Sequence, residues 1–161
     1  MEAMSRVPSV YASIQDEFER SFGRRPPDPV VSYRLDDADL TVVAMGTTAS
    51  TARTAVDGLR CEGVKAGSLR VRMFRPLPQA PLQSRLAGRK KIAVIDRDVS
   101  PGLGGILWAE LRGLADPGAI VQSYLVGLGG GDIRPEHIRR IFVDLSRRDR
   151  AEDPVFLEAG V

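Results

Sequence analysis

Three glycine-rich loops carry the residues of this chain that are best suited to bind an anion or a polar group. Each loop follows an apolar segment, at residues 40–45, 92–95 and 120–126. Backbone amides at the start of a helix attract anions, and polar side chains at the end of a buried strand bind ligands or partners. The candidate interface or anion-contact residues are Gly46, Thr47, Thr48, Asp96, Arg97, Asp98, Ser100, Gly102, Gly104, Gly127, Gly129 and Asp132.

None of these loops completes a nucleotide-binding motif. The dinucleotide pattern G-x-G-x-x-G would need glycine at positions 107 and 132, where the chain has Leu107 and Asp132. The phosphate-binding Gly-Lys-Ser/Thr triplet is absent from the sequence. The first loop, Gly46 to Thr48, would either hold an anion or cap the helix that follows, and capping is the simpler interpretation.

The sequence predicts no catalytic residue. His137 falls on the polar side of a helical pattern, which favours an exposed or interfacial role. The acidic and basic side chains of residues 96–98 would bind a substrate group or a partner, or form an ion pair that organises the loop. Ser100 lacks the G-x-S-x-G nucleophile context, and Cys61 has no fixed cationic neighbours, so a structural or surface thiol is expected.

Composition limits the class of protein. The chain has 161 residues, 43% hydrophobic and 27% charged, which suits one globular domain. Its 23 basic and 21 acidic residues are interspersed, which argues against nucleic-acid binding. One cysteine excludes an internal disulfide, and with one histidine it predicts no metal site. No apolar segment approaches the roughly 20 residues of a membrane span, so we expect a cytoplasmic protein.

The segments that flank the core are predicted from helical spacing and proline content. Val10, Ile14, Phe18 and Phe22 indicate an amphipathic helix that either covers this domain as a lid or docks on another subunit. A proline-rich connector follows. We divide the chain into a leading helix and linker (1–38), an α/β domain (39–146) and a loosely held charged tail (147–161).

Within residues 39–146, apolar strands alternate with helical patterns. Strand 40–45 precedes a helix at 49–62, and strands 92–95 and 120–126 are each followed by a helix. The segment 68–74 alternates apolar residues with arginines, which is typical of an edge or half-covered strand. The prediction is an α/β fold with three layers, α/β/α, and a mainly parallel sheet, with or without one antiparallel edge strand.

Five motifs occur in order, at residues 33–39, 43–48, 72–78, 95–105 and 127–133. Together they resemble the second domain of the alpha subunit of pyruvate (2-oxoacid):ferredoxin oxidoreductases, which is similar to the transketolase C-terminal domain. The resemblance covers residues 10–146. Two positions depart from the family: Thr47 stands where serine is common, and Arg134 stands where a serine or threonine caps the last helix, with Asp132 as the substitute cap.

The resemblance implies a role in an oxidative decarboxylation that forms acyl-coenzyme A. Enzymes of this family use thiamine diphosphate with Mg²⁺ and pass electrons through iron–sulfur clusters to ferredoxin. This chain lacks the domains that bind those groups, so we expect it to bind no cofactor alone and to be inactive in isolation. Its expected partners are the thiamine-diphosphate-binding and iron–sulfur chains, with ferredoxin contacted only indirectly.

Other interpretations remain open at this stage. The same loops would also suit a free-standing anion or small-molecule binding module, and a regulatory paralogue without activity would keep the fold. We favour a separately encoded subunit over an excised fragment, because the sequence begins with methionine and a short natural lead.

Overall fold

A six-stranded sheet with the order β1-β3-β2-β4-β5-β6 forms the middle layer of the structure. The computed structural model describes residues 2–157. Strands β2, β3, β4, β5 and β6 are parallel, and β1 is antiparallel. The strands are β1 (Val30–Tyr33), β2 (Leu40–Met45), β3 (Ala66–Val71), β4 (Lys91–Asp96), β5 (Ile120–Val126) and β6 (Val155–Leu157); the helices are α1 (Glu2–Phe22), α2 (Gly46–Cys61), α3 (Gln79–Leu86), α4 (Ile106–Leu111) and α5 (Pro135–Arg147).

Separate apolar cores lie on the two faces of the sheet. Successive strand residues point to opposite faces, so Val42 packs with α2 and α5 while Val43 packs with α3 and α4. Both valines are fully buried. The predicted three-layer α/β/α fold with a mainly parallel sheet is therefore confirmed.

Strand β1 was not predicted from the sequence, and it changes the position of β3. Val30 pairs with Val71 in an antiparallel ladder that covers the outer side of β3. Of the two alternatives for residues 68–74, the edge strand is therefore wrong, because β3 lies between β1 and β2. β1 has only four residues and follows Pro29, so it carries too little pattern to be recognised.

The described part of the tail is fixed by polar contacts rather than loosely held. Buried Gln122 donates to the backbone oxygen of Asp153 at 3.0 Å and accepts from the amide of Glu152 at 2.8 Å. Arg148, with a side chain only 12% exposed, pairs with Asp144 at 2.6 Å. The expectation of a loose tail is wrong for residues 148–157, because these charged groups bind the core; residues 158–161 lie outside the described part.

Strand β6 and strand β1 both lie outside the predicted boundaries of the α/β domain. Leu125 of β5 pairs with Phe156, so the sheet extends past residue 146. It also begins before residue 39, at Val30. The division at 38/39 and 146/147 stays a prediction. The sheet contains strands from all three predicted segments.

Helix α1 packs against its own connector. The hydroxyl of Tyr11 donates to the backbone oxygen of Pro27 at 2.8 Å. The side-chain amide of Gln15 donates to the backbone oxygen of Pro26 at 2.9 Å. Val10 and Ile14 stay 52% and 55% exposed, which favours docking over a lid. None of the helices within residues 2–157 has the length and apolar character needed to cross a membrane.

Gly67 in β3 provides a test of this packing. A Cβ atom there would lie 2.6 Å from the backbone oxygen of Arg34 and 2.8 Å from Cβ of Ala38. We expect Gly67→Ala to lower the free energy of unfolding by about 1–3 kcal/mol in chemical denaturation, because the turn before β2 must move.

Gly58→Ala is the matched control. Gly58 lies in α2 with no atom within 4 Å of an added Cβ, so the variant should be as stable as the wild type or gain up to ~1 kcal/mol. Equal stability of the Gly67→Ala variant and the wild type would contradict the close approach of the turn to β3.

Candidate functional site

The three candidate loops follow adjacent strands and lie along one edge of the sheet. β4 is hydrogen bonded to β2 on one side and to β5 on the other, all in parallel. The carboxyl ends of these strands therefore meet at the same edge. A contact of 3.4 Å between Nη2 of Arg97 and the backbone oxygen of Gly131 joins the second loop to the third.

Asp96 connects strand β4 to helix α4. Its carboxylate is 2% exposed; Oδ1 accepts from the amide of Leu107 at 2.9 Å, and Oδ2 accepts from the amide of Trp108 at 3.1 Å. These are amide groups that the start of a helix leaves without partners. Asp96 therefore caps α4 from the preceding strand, a structural role that the sequence analysis did not predict.

Gly105 is the second residue that this arrangement requires. A Cβ atom at Gly105 would lie 2.0 Å from Oδ2 of Asp96, so the carboxylate occupies the space of the missing side chain. Gly105 was not among the candidate residues predicted from the sequence. The adjacent glycines at 104 and 105 were the available signal.

An ion pair within residues 96–98 was one of the alternatives that the sequence left open. Within residues 2–157, Arg97 forms no ion pair with Asp96 or Asp98, because Asp96 turns inward to α4 while Arg97 is exposed. That alternative is wrong. Oδ2 of Asp98 is buried and has no hydrogen-bond partner among the described residues.

Residues 100–104 form a tight turn that exposes an apolar side chain. The amide of Ser100 donates to the backbone oxygen of Gly104 at 2.8 Å, and the amide of Gly104 donates back at 3.1 Å. Gly102 and Gly104 have φ of +80° and +108°, which other residues rarely adopt. Leu103, between them, is 42% exposed.

Apolar side chains are exposed along the second and third loops. They are 40–42% exposed, although other side chains of their type fill the core. We call the surface formed by these loops, residues 97–106 and 127–131, the carboxyl-edge surface. Its exposed apolar residues are Val99, Leu103, Ile106 and Leu128.

The third loop is shaped by close backbone contacts. Gly127 has φ of +62°, and a Cβ atom there would lie 2.8 Å from the backbone oxygen of Gly131. Gly129, also at positive φ (+68°), lies in the short 3₁₀ turn Leu128–Gly130. The loop is thereby held at the edge of the sheet beside the end of β4.

The predicted cap of the last helix is wrong. Asp132 pairs with Nε of Arg134 at 3.2 Å instead of accepting an amide of α5. Nδ1 of His137 accepts from the amide of Arg134 at 3.2 Å, which gives His137 the role of the third-position residue in a capping box. Pro135 at the first helical position was the signal that places His137 there.

The first loop also differs from its prediction. α2 begins at Gly46 rather than at residue 49, and Met45 precedes it with no side-chain cap. Capping by Thr47 or Thr48 is therefore wrong: Gly46 enters the helix with φ of +56°, Thr47 is exposed and Thr48 is buried. The amides of the first turn of α2 have no side-chain acceptor at the cap position.

Cys61 and the acidic side chains offer no metal centre in the described part of the chain. Cys61 is exposed, in agreement with a surface thiol. Between residues 2 and 157 there is no group of three or more His, Cys, Asp or Glu side chains that could hold a metal ion.

The carboxyl group of Asp96 titrates in an unusual range. Burial raises its pKa to about 6, nearby Asp98 also raises it, and the hydrogen bonds from the amides of Leu107 and Trp108 oppose the rise. Because its pKa is higher in the folded chain than in the unfolded chain, its contribution favours folding at low pH and is lost as pH rises through about 6.

Asp96→Asn tests this linkage. The difference in free energy of unfolding, wild type minus variant, should fall by roughly 3 kcal/mol between pH 3.5 and pH 7. The measurement is urea denaturation across that pH range. A constant difference for Asp96→Asn would contradict a raised pKa.

Comparison with known proteins connects this architecture to a family. The family model for pyruvate:ferredoxin oxidoreductase core domain II matches residues 38–138. These residues include strands β2 to β5 and all three candidate loops. The match therefore covers the part of the chain that builds the carboxyl-edge surface.

Similar sequences are subunits of two oxidoreductases. The pyruvate synthase subunit PorA of Thermotoga maritima is 46% identical over 147 residues, which are 89% of this chain and 37% of the relative. The ketoisovalerate oxidoreductase subunit VorA of Pyrococcus horikoshii is 37% identical over 149 residues, or 91% of this chain and 38% of the relative. The chain thus spans less than two fifths of either relative.

A solved structure shares the fold. The 2-oxoglutarate:ferredoxin oxidoreductase of Magnetococcus marinus, solved with 2-oxoglutarate, coenzyme A and succinyl-CoA bound, aligns with a TM-score of 0.59 and 22% identity over 80% of this chain and 21% of that chain. With the family match and the similar subunits, this leads to one assignment. The chain belongs to the family of pyruvate:ferredoxin oxidoreductase core domain II.

Proposed function

We propose that this chain is a subunit or domain of a 2-oxoacid:ferredoxin oxidoreductase of the pyruvate synthase type. Its carboxyl-edge surface packs against the chains that bind thiamine diphosphate and iron–sulfur clusters. The observation that carries this proposal is the group of exposed apolar side chains on that surface, which includes Val99 and Leu103.

A protein partner would remove a cost of this surface. Exposed apolar area costs roughly 25 cal/mol per Å² relative to burial, and clusters of it mark contact sites. A partner that covers Leu103 and Val99 would recover this free energy.

The relatives support the assembled form of this proposal. PorA and VorA are named as subunits, and this chain corresponds to little more than a third of each. We therefore assign decarboxylation to the assembly and expect the isolated chain to be inactive. Its role is to hold the neighbouring subunits in position.

The cofactors of such an assembly belong on other chains. Cys61 is the single cysteine, whereas an iron–sulfur cluster takes four thiolates in most proteins. The described residues also lack an acidic cluster for the Mg²⁺ of thiamine diphosphate. We assign thiamine diphosphate, Mg²⁺, the clusters and coenzyme A to the partner chains, ferredoxin to an indirect contact, and the assembly to the cytoplasm.

Reconstitution tests the function directly. The thiamine-diphosphate and iron–sulfur subunits from the same genome, purified anaerobically, should reduce a viologen dye with pyruvate and coenzyme A only when this chain is added. Full activity without the chain would contradict the proposal. Binding without restored turnover would favour the regulatory paralogue instead.

Leu103→Asp tests the proposed surface. An ionised carboxylate in an apolar interface is costly, so affinity for the partner subunits should fall at least tenfold in analytical ultracentrifugation. Val143→Asp is the control, because Val143 is 39% exposed on α5, away from these loops. Equal affinity of the two variants would place the interface elsewhere.

A further inference from the structure

A cleft of about 490 Å³ opens at the carboxyl ends of β2 and β3. It lies on the side of β2 away from β4 and so is separate from the carboxyl-edge surface. Arginines from the end of β3 and the following loop dominate its wall. We call it the arginine cleft; it is lined by Tyr11, Met45, Gly46, Arg70, Val71, Arg72, Met73, Phe74 and Arg75.

Two of the three arginines have no negative partner. Arg75 pairs with Glu110 at 2.7 Å and stacks 4.0 Å from the ring centre of Phe74. Arg70 and Arg72 form no ion pair with any carboxylate of residues 2–157. The cleft therefore carries uncompensated positive charge.

Arg70 is held in place but incompletely satisfied. It is only partly exposed, and its Nη1 donates to the hydroxyl of Ser50 in α2 at 3.3 Å. Its Nε is buried and has no acceptor among the described residues. The outer nitrogens of this guanidinium are therefore the donors that remain for an oxygen ligand in the cleft.

The start of α2 adds donors from a second direction. This helix of 16 residues begins at Gly46 in the wall of the cleft, and no side chain caps it. Its free amides and its dipole favour an anion. No atom lies within 4 Å of the position that a Cβ of Gly46 would take, so the approach is open.

We propose that the arginine cleft binds a phosphate group of a small molecule. Donors from two elements line the cleft, the arginines at the end of β3 and the first turn of α2, which suits the several oxygens of a phosphate better than the two of a carboxylate. The cleft is larger than one phosphate, so it has room for the rest of the molecule beside Tyr11 and Phe74.

Isothermal titration of the full 161-residue chain with inorganic pyrophosphate at low ionic strength tests this proposal. Binding should saturate at one site per chain. Arg70→Gln should weaken it at least tenfold, and Arg72→Gln should weaken it several-fold. Arg70→Lys keeps the charge but loses the planar guanidinium, so its affinity should lie between those of Arg70→Gln and the wild type.

Arg140→Gln is the control, because Arg140 is exposed on α5 and carries the same charge. It should bind pyrophosphate like the wild type, with circular dichroism confirming that every variant is folded. Absence of saturable binding, or equal weakening by Arg140→Gln, would overturn the site. Tighter binding of malonate than of pyrophosphate would overturn the assignment to phosphate. The titration needs no partner subunit, so it fails or succeeds independently of the proposed assembly.

Discussion

The carboxyl-edge surface depends on the hydrogen bonds that the carboxylate of Asp96 accepts. Asp96 ends β4, a central strand of the sheet, and binds the amides of Leu107 and Trp108 in the next helix. Gly105 must lack a side chain for the carboxylate to fit. Because Asp96 and Gly105 fix the two ends of this loop, residues 97–104 must leave the core and turn outward. This brings Leu103 to the surface.

The same contact explains why apolar groups lie on the carboxyl-edge surface. Asp96 is satisfied within the chain by the amides of Leu107 and Trp108, so the loop that follows it turns outward. Leu128 brings a further apolar side chain from the loop after β5. Such a surface is stable in a complex that covers the apolar groups, and this agrees with the subunit character of the similar proteins.

The elements predicted from the sequence are those whose pattern is local and strong. The buried strands at 40–45 and 92–95 were identified because nearly every residue is apolar, and motif order was enough to identify the family. β1 and β6 were missed because short strands depend on pairing with distant partners, Val71 and Leu125. The roles of Asp96 and His137 were missed for a related reason: a side chain that caps a helix depends on three-dimensional position.

Hydrogen–deuterium exchange of the chain, alone and in the assembled oxidoreductase, tests the central claim most directly. If the carboxyl-edge surface is the subunit contact, amides in residues 97–104 and 128–131 should exchange at least tenfold more slowly in the assembly. Those at 116–119, at the opposite end of β5, should exchange at the same rate in both. Unchanged exchange in the two loops, or protection confined to 116–119, would contradict the account.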